Sequence, residues 1–123
     1  MKTSTFSVIW AVLYAGFGLG LLFVPAQFMA PYGVTLDSYG VLMSRVLGSA
    51  LTAYALAFIL NRNIPLTEAA WRNLLLASVV YNLVDIPVVL MATVNGVMNS
   101  LGWLPTGLHI FLAASMGYFL FRK

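Results

Sequence analysis

The chain has 123 residues, of which 62% are hydrophobic and 7% are charged, with a formal net charge of +3. Soluble domains carry about 25% charged residues, so this composition excludes a soluble globular domain, a disordered chain and a nucleic-acid binder. The absence of cysteine excludes disulfide exchange, thiolate catalysis and cysteine-ligated metal sites. One histidine and three carboxylates are a poor supply of metal ligands. We therefore expect an integral membrane protein without a metal or other cofactor.

Four apolar runs each approach the roughly 20 residues that a helix needs to cross about 30 Å of hydrocarbon. Turn-forming residues separate these runs, and the alternating pattern of barrel strands is missing from the sequence. The fold class predicted is all-α integral membrane, an antiparallel bundle of four transmembrane helices. Residues 1–123 are expected to form one domain, with spans at about 6–29, 41–60, 69–94 and 101–121.

The first span has no charged residue and carries two glycines four positions apart, Gly16 and Gly20. A G-x-x-x-G pair lets helices approach closely, so it predicts either packing within the chain or a homodimer face. The connection that follows, residues 27–40, is the longest between spans. We expect it partly in the lipid headgroup layer.

The second span opens with the R-x-x-G sequence Ser44-Arg45-Val46-Leu47-Gly48. Preceded by Phe23-Val24-Pro25 and Pro31-Tyr32-Gly33-Val34, this order of features resembles the small bacterial four-span proteins that are DoxX-like. The DoxX group includes a membrane subunit associated with thiosulfate:quinone oxidoreduction, so the resemblance implies an accessory role. Arg45 stands where such proteins often carry an acidic residue. The resemblance therefore carries over neither quinone chemistry nor a catalytic residue.

Away from the cytoplasmic ends of the predicted spans, three residues are candidates for buried charge: Arg45 on the second span, Asp85 on the third and His109 on the fourth. Such residues usually face other helices and find partners. With a rise of 1.5 Å per residue, they lie about 7, 15 and 12 Å below the outer ends of their helices. Arg45 and Asp85 form either a structural ion pair, the commoner case, or a binding or catalytic pair. His109 is either a structural residue whose hydrogen bonds are satisfied by its neighbours or a residue that takes part in chemistry.

Polar neighbours follow Asp85 and His109 at helical spacing. Ser78, Tyr81, Asn82 and Asp85 share one face of the third span, and Thr106 shares a face with His109. Pro87 and Pro105 are expected to kink their helices near this level. We predict a pocket that opens toward the outer leaflet. Its candidate ligand-binding residues are Arg45, Tyr81, Asn82, Asp85 and His109.

Three functions fit these residues. The first is an accessory subunit or a binder of a lipophilic small molecule, with membrane lipids and a membrane protein as further partners. The second is a cofactor-independent enzyme, an isomerase or cyclase acting on an isoprenoid, quinone or lipid, with Asp85 and His109 as catalytic acid and base. The third is a small transporter that uses Asp85.

The basic residues predict the orientation. Five of the six are expected on one side of the membrane, and only Arg45 lies toward the other. By the positive-inside rule, both termini and the loop at Arg62 are cytoplasmic. We expect a bacterial inner-membrane protein. The five residues are Lys2, Arg62, Arg72, Arg122 and Lys123.

Overall fold

The computed structural model describes residues 3–122. Lys2 and Lys123, which enter the predicted orientation, lie outside this range. The described residues form helices and turns without a β-strand, and four helical runs are long and apolar enough to cross a membrane. The all-helical class is therefore confirmed, whereas the antiparallel four-helix bundle stays a prediction. The helices are α1 (Thr3–Phe23), α2 (Pro25–Met29), α3 (Ser38–Asn61), α4 (Ala69–Val94) and α5 (Trp103–Phe121).

The chain divides into two compact units, one ending at Asn63 and the other beginning at Ile64. In the first unit α1 packs against α3, and in the second α4 packs against α5. Each unit is thus a helical hairpin, and we call them the first and the second hairpin. Trp10 of α1 contacts Phe58 near the end of α3, and Thr93 at the end of α4 lies against Gly102, just before α5. The two helices of each hairpin are therefore antiparallel.

Proline and glycine divide the connection between α1 and α3. The first predicted span runs to residue 29, but α1 ends at Phe23 and Pro25 begins the separate helix α2. Proline suits a first helical turn, where its missing N–H has no partner to lose. A 3-10 turn then ends at Gly33, whose φ of 78° favours glycine. The Asp37 carboxylate accepts a 2.7 Å hydrogen bond from the Gly40 N–H and caps α3.

Aromatic rings fill the core of the first hairpin. Trp10 and Tyr14 of α1 are buried, as is Phe58 of α3. The Phe58 ring centroid lies 5.5 Å from that of Trp10 and 5.6 Å from that of Tyr14, and Tyr14 also stacks on Tyr54 at 5.5 Å. Ring pairs at such separations add about 0.5–1.5 kcal/mol each beyond the area they bury. These rings hold α1 and α3 together along one half of their length.

Glycines hold the other half of the first hairpin. A Cβ atom on Gly18 would lie 2.8 Å from the backbone nitrogen of Thr52, and one on Gly48 2.6 Å from that of Leu22. Real Cβ atoms do not approach backbone this closely, so both positions need glycine. Gly20, one half of the predicted G-x-x-x-G pair, lies against the ring of Phe28 in its own chain. The homodimer through Gly16 and Gly20 stays a prediction.

The turn of the second hairpin contains Gly96, with a φ of 76°, and Asn99, whose side chain accepts a 2.9 Å hydrogen bond from the Leu101 N–H. Gly102 lies directly against the Thr93 side chain, where a Cβ atom would have no room. Pro87 lies inside α4, and the kink predicted there stays a prediction. Pro105 instead lies in the first turn of α5, where proline breaks no interior helical hydrogen bond.

Candidate functional site

One face of α4 carries the polar residues that the sequence groups together. Ser78 and Asn82 are fully buried, and Asp85 follows one turn later with 28% of its side chain exposed. The Ser78 hydroxyl donates a 2.8 Å hydrogen bond to the Leu74 carbonyl oxygen of its own helix. Spacings of four and three residues place Ser78, Asn82 and Asp85 on the same side of α4.

Helix α5 presents His109 to this face. The buried residues Thr106, Ala113 and Met116 lie at helical spacing from His109 and mark the packed side of α5. The Thr106 hydroxyl donates a 3.0 Å hydrogen bond to the carbonyl oxygen of Gly102, the residue that precedes α5. His109 extends its ring to the other helix and keeps 14% of its side chain exposed.

The His109 ring lies between two side chains of α4. Its Nδ1 is 2.8 Å from the Asn82 Oδ1, a hydrogen bond between residues 27 positions apart. Its Nε2 is 3.4 Å from the Asp85 Oδ2, within ion-pair distance. Each ring nitrogen therefore faces one oxygen. We call Tyr81, Asn82, Asp85 and His109 the polar site.

Tyr81 completes the polar site as an aromatic wall. Its ring meets the His109 ring edge to face, with the centroids 6.1 Å apart. Offset and edge-to-face contacts are the geometries that aromatic rings prefer. The ring plane of His109 is thus fixed by a contact on its side as well as by the two oxygens at its nitrogens.

The structure brings together four of the five predicted ligand-binding residues, all in the second hairpin. The fifth, Arg45, lies on α3 of the first hairpin with an exposed side chain. Its predicted pairing with Asp85 joins residues of different units and stays a prediction. The hydrogen bond between Asn82 and His109 is absent from the sequence-based predictions. The signal for it is that Asn82 and Asp85 lie one turn apart, within reach of one ring from a neighbouring helix.

Among the described residues, the polar site lacks a third side chain that could ligate a metal ion together with Asp85 and His109. Among residues 3–122, no group of three or more histidine, cysteine, aspartate or glutamate side chains could hold an ion. Asp85 and His109 alone supply two ligands, whereas protein metal sites generally use three or four. What the polar site offers chemically is an imidazole, a carboxylate and an amide in mutual contact.

An open cavity of about 470 Å³ lies in the first hairpin, and its lining includes no residue of the polar site. Its charged lining residue, Arg62, donates a 3.2 Å hydrogen bond from Nη1 to the Ile59 carbonyl oxygen at the end of α3. A basic side chain in this position satisfies a terminal helix carbonyl, which is a structural role. The lining residues are Ser4, Thr5, Val8, Ile9, Arg62 and Asn63.

Comparison with known proteins adds no family to this geometry. No family model, curated protein or solved structure matches the chain. The DoxX-like resemblance thus stays an expectation from the sequence.

Proposed function

We propose that the protein is a multi-pass protein of the bacterial inner membrane that binds a lipophilic small molecule at the polar site. The observation that supports this is the placement of His109 between Asn82 and Asp85, at 2.8 and 3.4 Å, inside a pair of apolar helices. Both helices are long and apolar enough to cross a membrane. Ionisable residues inside such helices are, by default, candidates for function.

The energetic cost of Asp85 supports a role beyond packing. An aspartate at the centre of a transmembrane helix costs about 2.5–3.5 kcal/mol on insertion scales. Helix pairs associate without such groups, through small residues and close packing. The close contact of Gly102 with Thr93 already provides such packing in the second hairpin. A ligand that hydrogen-bonds to the polar site explains why the helix carries a carboxylate that is costly to insert into the membrane.

The partial exposure of the two ionisable side chains supports direct access by a ligand. The Asp85 side chain is 28% exposed and that of His109 is 14% exposed, whereas Asn82 is fully buried. The amide thus forms the inner support, and the carboxylate and imidazole form the outer edge. We place this edge in the outer half of the bilayer, with both termini in the cytoplasm. A lipophile reaches such an edge laterally from the membrane.

The test is the identity of molecules that co-purify with the protein in mild detergent, measured by mass spectrometry. We expect one lipophilic compound at near-stoichiometric amount with the native chain and at least a tenfold loss with His109→Ala. The matched control is Ser115→Ala on the same helix, whose hydroxyl bonds its own backbone at the Leu112 carbonyl oxygen. Equal retention by His109→Ala, with both variants folded, would falsify the proposal. A stoichiometric membrane protein in place of a lipophile favours the accessory-subunit form.

A cofactor-independent membrane enzyme is the second candidate. The contact between the imidazole and the carboxylate favours it, because a paired acid and base is what isomerase or cyclase chemistry requires. In that case Asp85 and His109 are the catalytic residues. The discriminating measurement is whether the co-purified compound is converted during incubation with fresh protein. Unchanged compound after prolonged incubation with the native chain contradicts the enzyme and leaves the binder.

A further inference from the structure

The side-chain amide of Asn82 has a fixed orientation. Its Nδ2 donates a 2.7 Å hydrogen bond to the Ser78 carbonyl oxygen, and its Oδ1 faces the Nδ1 of His109. A backbone carbonyl only accepts hydrogen bonds. Exchanging the amide oxygen and nitrogen would place two acceptor oxygens 2.7 Å apart in a fully buried position. Oδ1 is therefore the atom that Asn82 presents to His109.

This orientation determines which nitrogen of His109 carries a proton. The Asn82 Oδ1 only accepts, so the Nδ1 of His109, 2.8 Å away, is the donor. In a neutral ring the other nitrogen, Nε2, then holds a lone pair. That lone pair points toward the Asp85 carboxyl oxygen at 3.4 Å.

A neutral imidazole beside an ionised carboxylate would place the lone pair against an anionic oxygen. One added proton removes this conflict in either of two arrangements. The proton lies on Asp85, whose carboxylic acid donates to Nε2, or it moves to Nε2, and the imidazolium donates to the carboxylate. The transfer breaks the O–H bond at Oδ2 and forms the N–H bond at Nε2. The pair has zero net charge in both arrangements.

We propose that Asn82 is a positioning residue that holds His109 with its proton on Nδ1, so that Asp85 and His109 keep one proton between them. Zero net charge suits a pair of apolar helices, because an isolated charge in that environment is costly. For the ligand, this inference rests on the proposed function. A pair without net charge is suited to a neutral lipophile that carries a hydroxyl or carbonyl oxygen. That oxygen can accept a hydrogen bond from whichever of Oδ2 and Nε2 carries the proton, and a hydroxyl can also donate to the other. The Asp85–His109 pair offers no net charge to pair with an anionic or cationic headgroup.

The protonation of His109 can be measured directly because the chain contains one histidine. Nitrogen-15 histidine labelling of the full chain in detergent therefore reports on this ring alone. We expect a protonated Nδ1 in NMR spectra at neutral pH. Infrared spectra should then show a protonated Asp85 carboxyl if Nε2 is bare, and an ionised carboxyl if Nε2 carries hydrogen. A neutral ring protonated on Nε2, or a bare Nε2 beside an ionised Asp85, overturns the inference.

Variants test the role of Asn82 itself. Asn82→Leu removes the acceptor at Nδ1, and we expect the ring to change to the form that is protonated on Nε2 and donates to Asp85. The matched control is Ser78→Ala, which keeps the backbone carbonyl that orients Asn82, so its spectrum should match that of the native chain. An unchanged Asn82→Leu spectrum contradicts the positioning role. The native spectrum decides the inference by itself if that variant does not fold.

These outcomes are separable from those of ligand binding. The spectra require no ligand, so the expected NMR and infrared spectra in a chain that retains no lipophile refute the proposed function and leave the shared proton. The opposite tautomer in a chain that retains its lipophile refutes the shared proton and leaves the proposed function.

Discussion

A Cβ atom on Gly48 would lie 2.6 Å from the carbonyl oxygen of Gly18, so α3 and α1 touch backbone to backbone at this point. The same atom would lie 2.6 Å from the Leu22 backbone nitrogen. Since neither contact involves a flexible side chain, an added methyl group has to push the two helices apart. Membrane helices that lack a hydrophobic drive toward each other depend on such close packing.

We therefore expect Gly48→Ala to lower the free energy of unfolding by about 1–3 kcal/mol, the usual range for overpacking. The measurement is the melting temperature in detergent. The control is Gly107→Ala, a helical glycine with no atom within 4 Å of an added Cβ, where the temperature should stay equal or rise slightly. Equal effects of the two substitutions would contradict the backbone contact.

Asp85 and His109 are expected to be energetically coupled. Asp85→Asn and His109→Gln should each lower the melting temperature, and the double variant should recover part of the loss, with a coupling energy of about 0.5–3 kcal/mol. A parallel cycle with Arg45→Gln tests the ion pair that the sequence predicts for Asp85. If the effects of the Asp85 and His109 substitutions on the melting temperature are additive, their 3.4 Å contact contributes nothing to stability. Coupling in both cycles would place Asp85 between two partners.

The predicted orientation can be tested with single cysteines, because the chain has none of its own. Val97, in the turn between α4 and α5, is 62% exposed, and Asn63, after α3, is also exposed. A cysteine at position 97 should react with a membrane-impermeant thiol reagent in intact cells, and one at position 63 should react only after the cells are opened. The reverse pattern would invert the topology.

The segment of residues 25–33 is expected to depend on Phe28. Its ring lies against Gly20, and its centroid is 5.4 Å from that of Phe17. Phe28→Ala removes both contacts, so the backbone amides of this segment should exchange hydrogen faster, by local opening. Phe23→Ala, at a side chain that is 68% exposed, serves as the control and should leave exchange unchanged. Equal exchange rates in the two variants would mean that Phe28 does not anchor the segment.

The length and the apolar composition of the four long helices were predictable from the sequence. The thickness of the hydrocarbon core sets the length of a membrane-spanning helix, and its apolar character sets the composition. The face that carries Asn82 and Asp85 was predictable for a similar reason, since helical spacing alone places them together. The contact of Gly18 with Gly48 was not. A glycine motif within one helix, such as Gly16 and Gly20, does not specify how that helix is rotated against its neighbour.

The hydrogen bond between His109 and Asn82 could not be predicted for the same reason, namely that it depends on how two helices pack. The bond depends on the axial register of α5 against α4, and a shift of one turn, about 5.4 Å, would place another residue beside the ring. The turn around Gly96 and the contact of Gly102 with Thr93 fix this register. Single-sequence patterns locate the members of the polar site, and these packing details determine which atoms meet.

The contacts described for the first hairpin, from the Trp10–Phe58 rings to the Gly18–Gly48 crossing, all join residues that precede Ile64. During synthesis, this hairpin therefore has its stabilising partners before α4 and α5 are translated. Chains whose segments find local partners early expose less unpaired surface while they grow. For the membrane protein that we propose, the two hairpins can accordingly insert as two successive events.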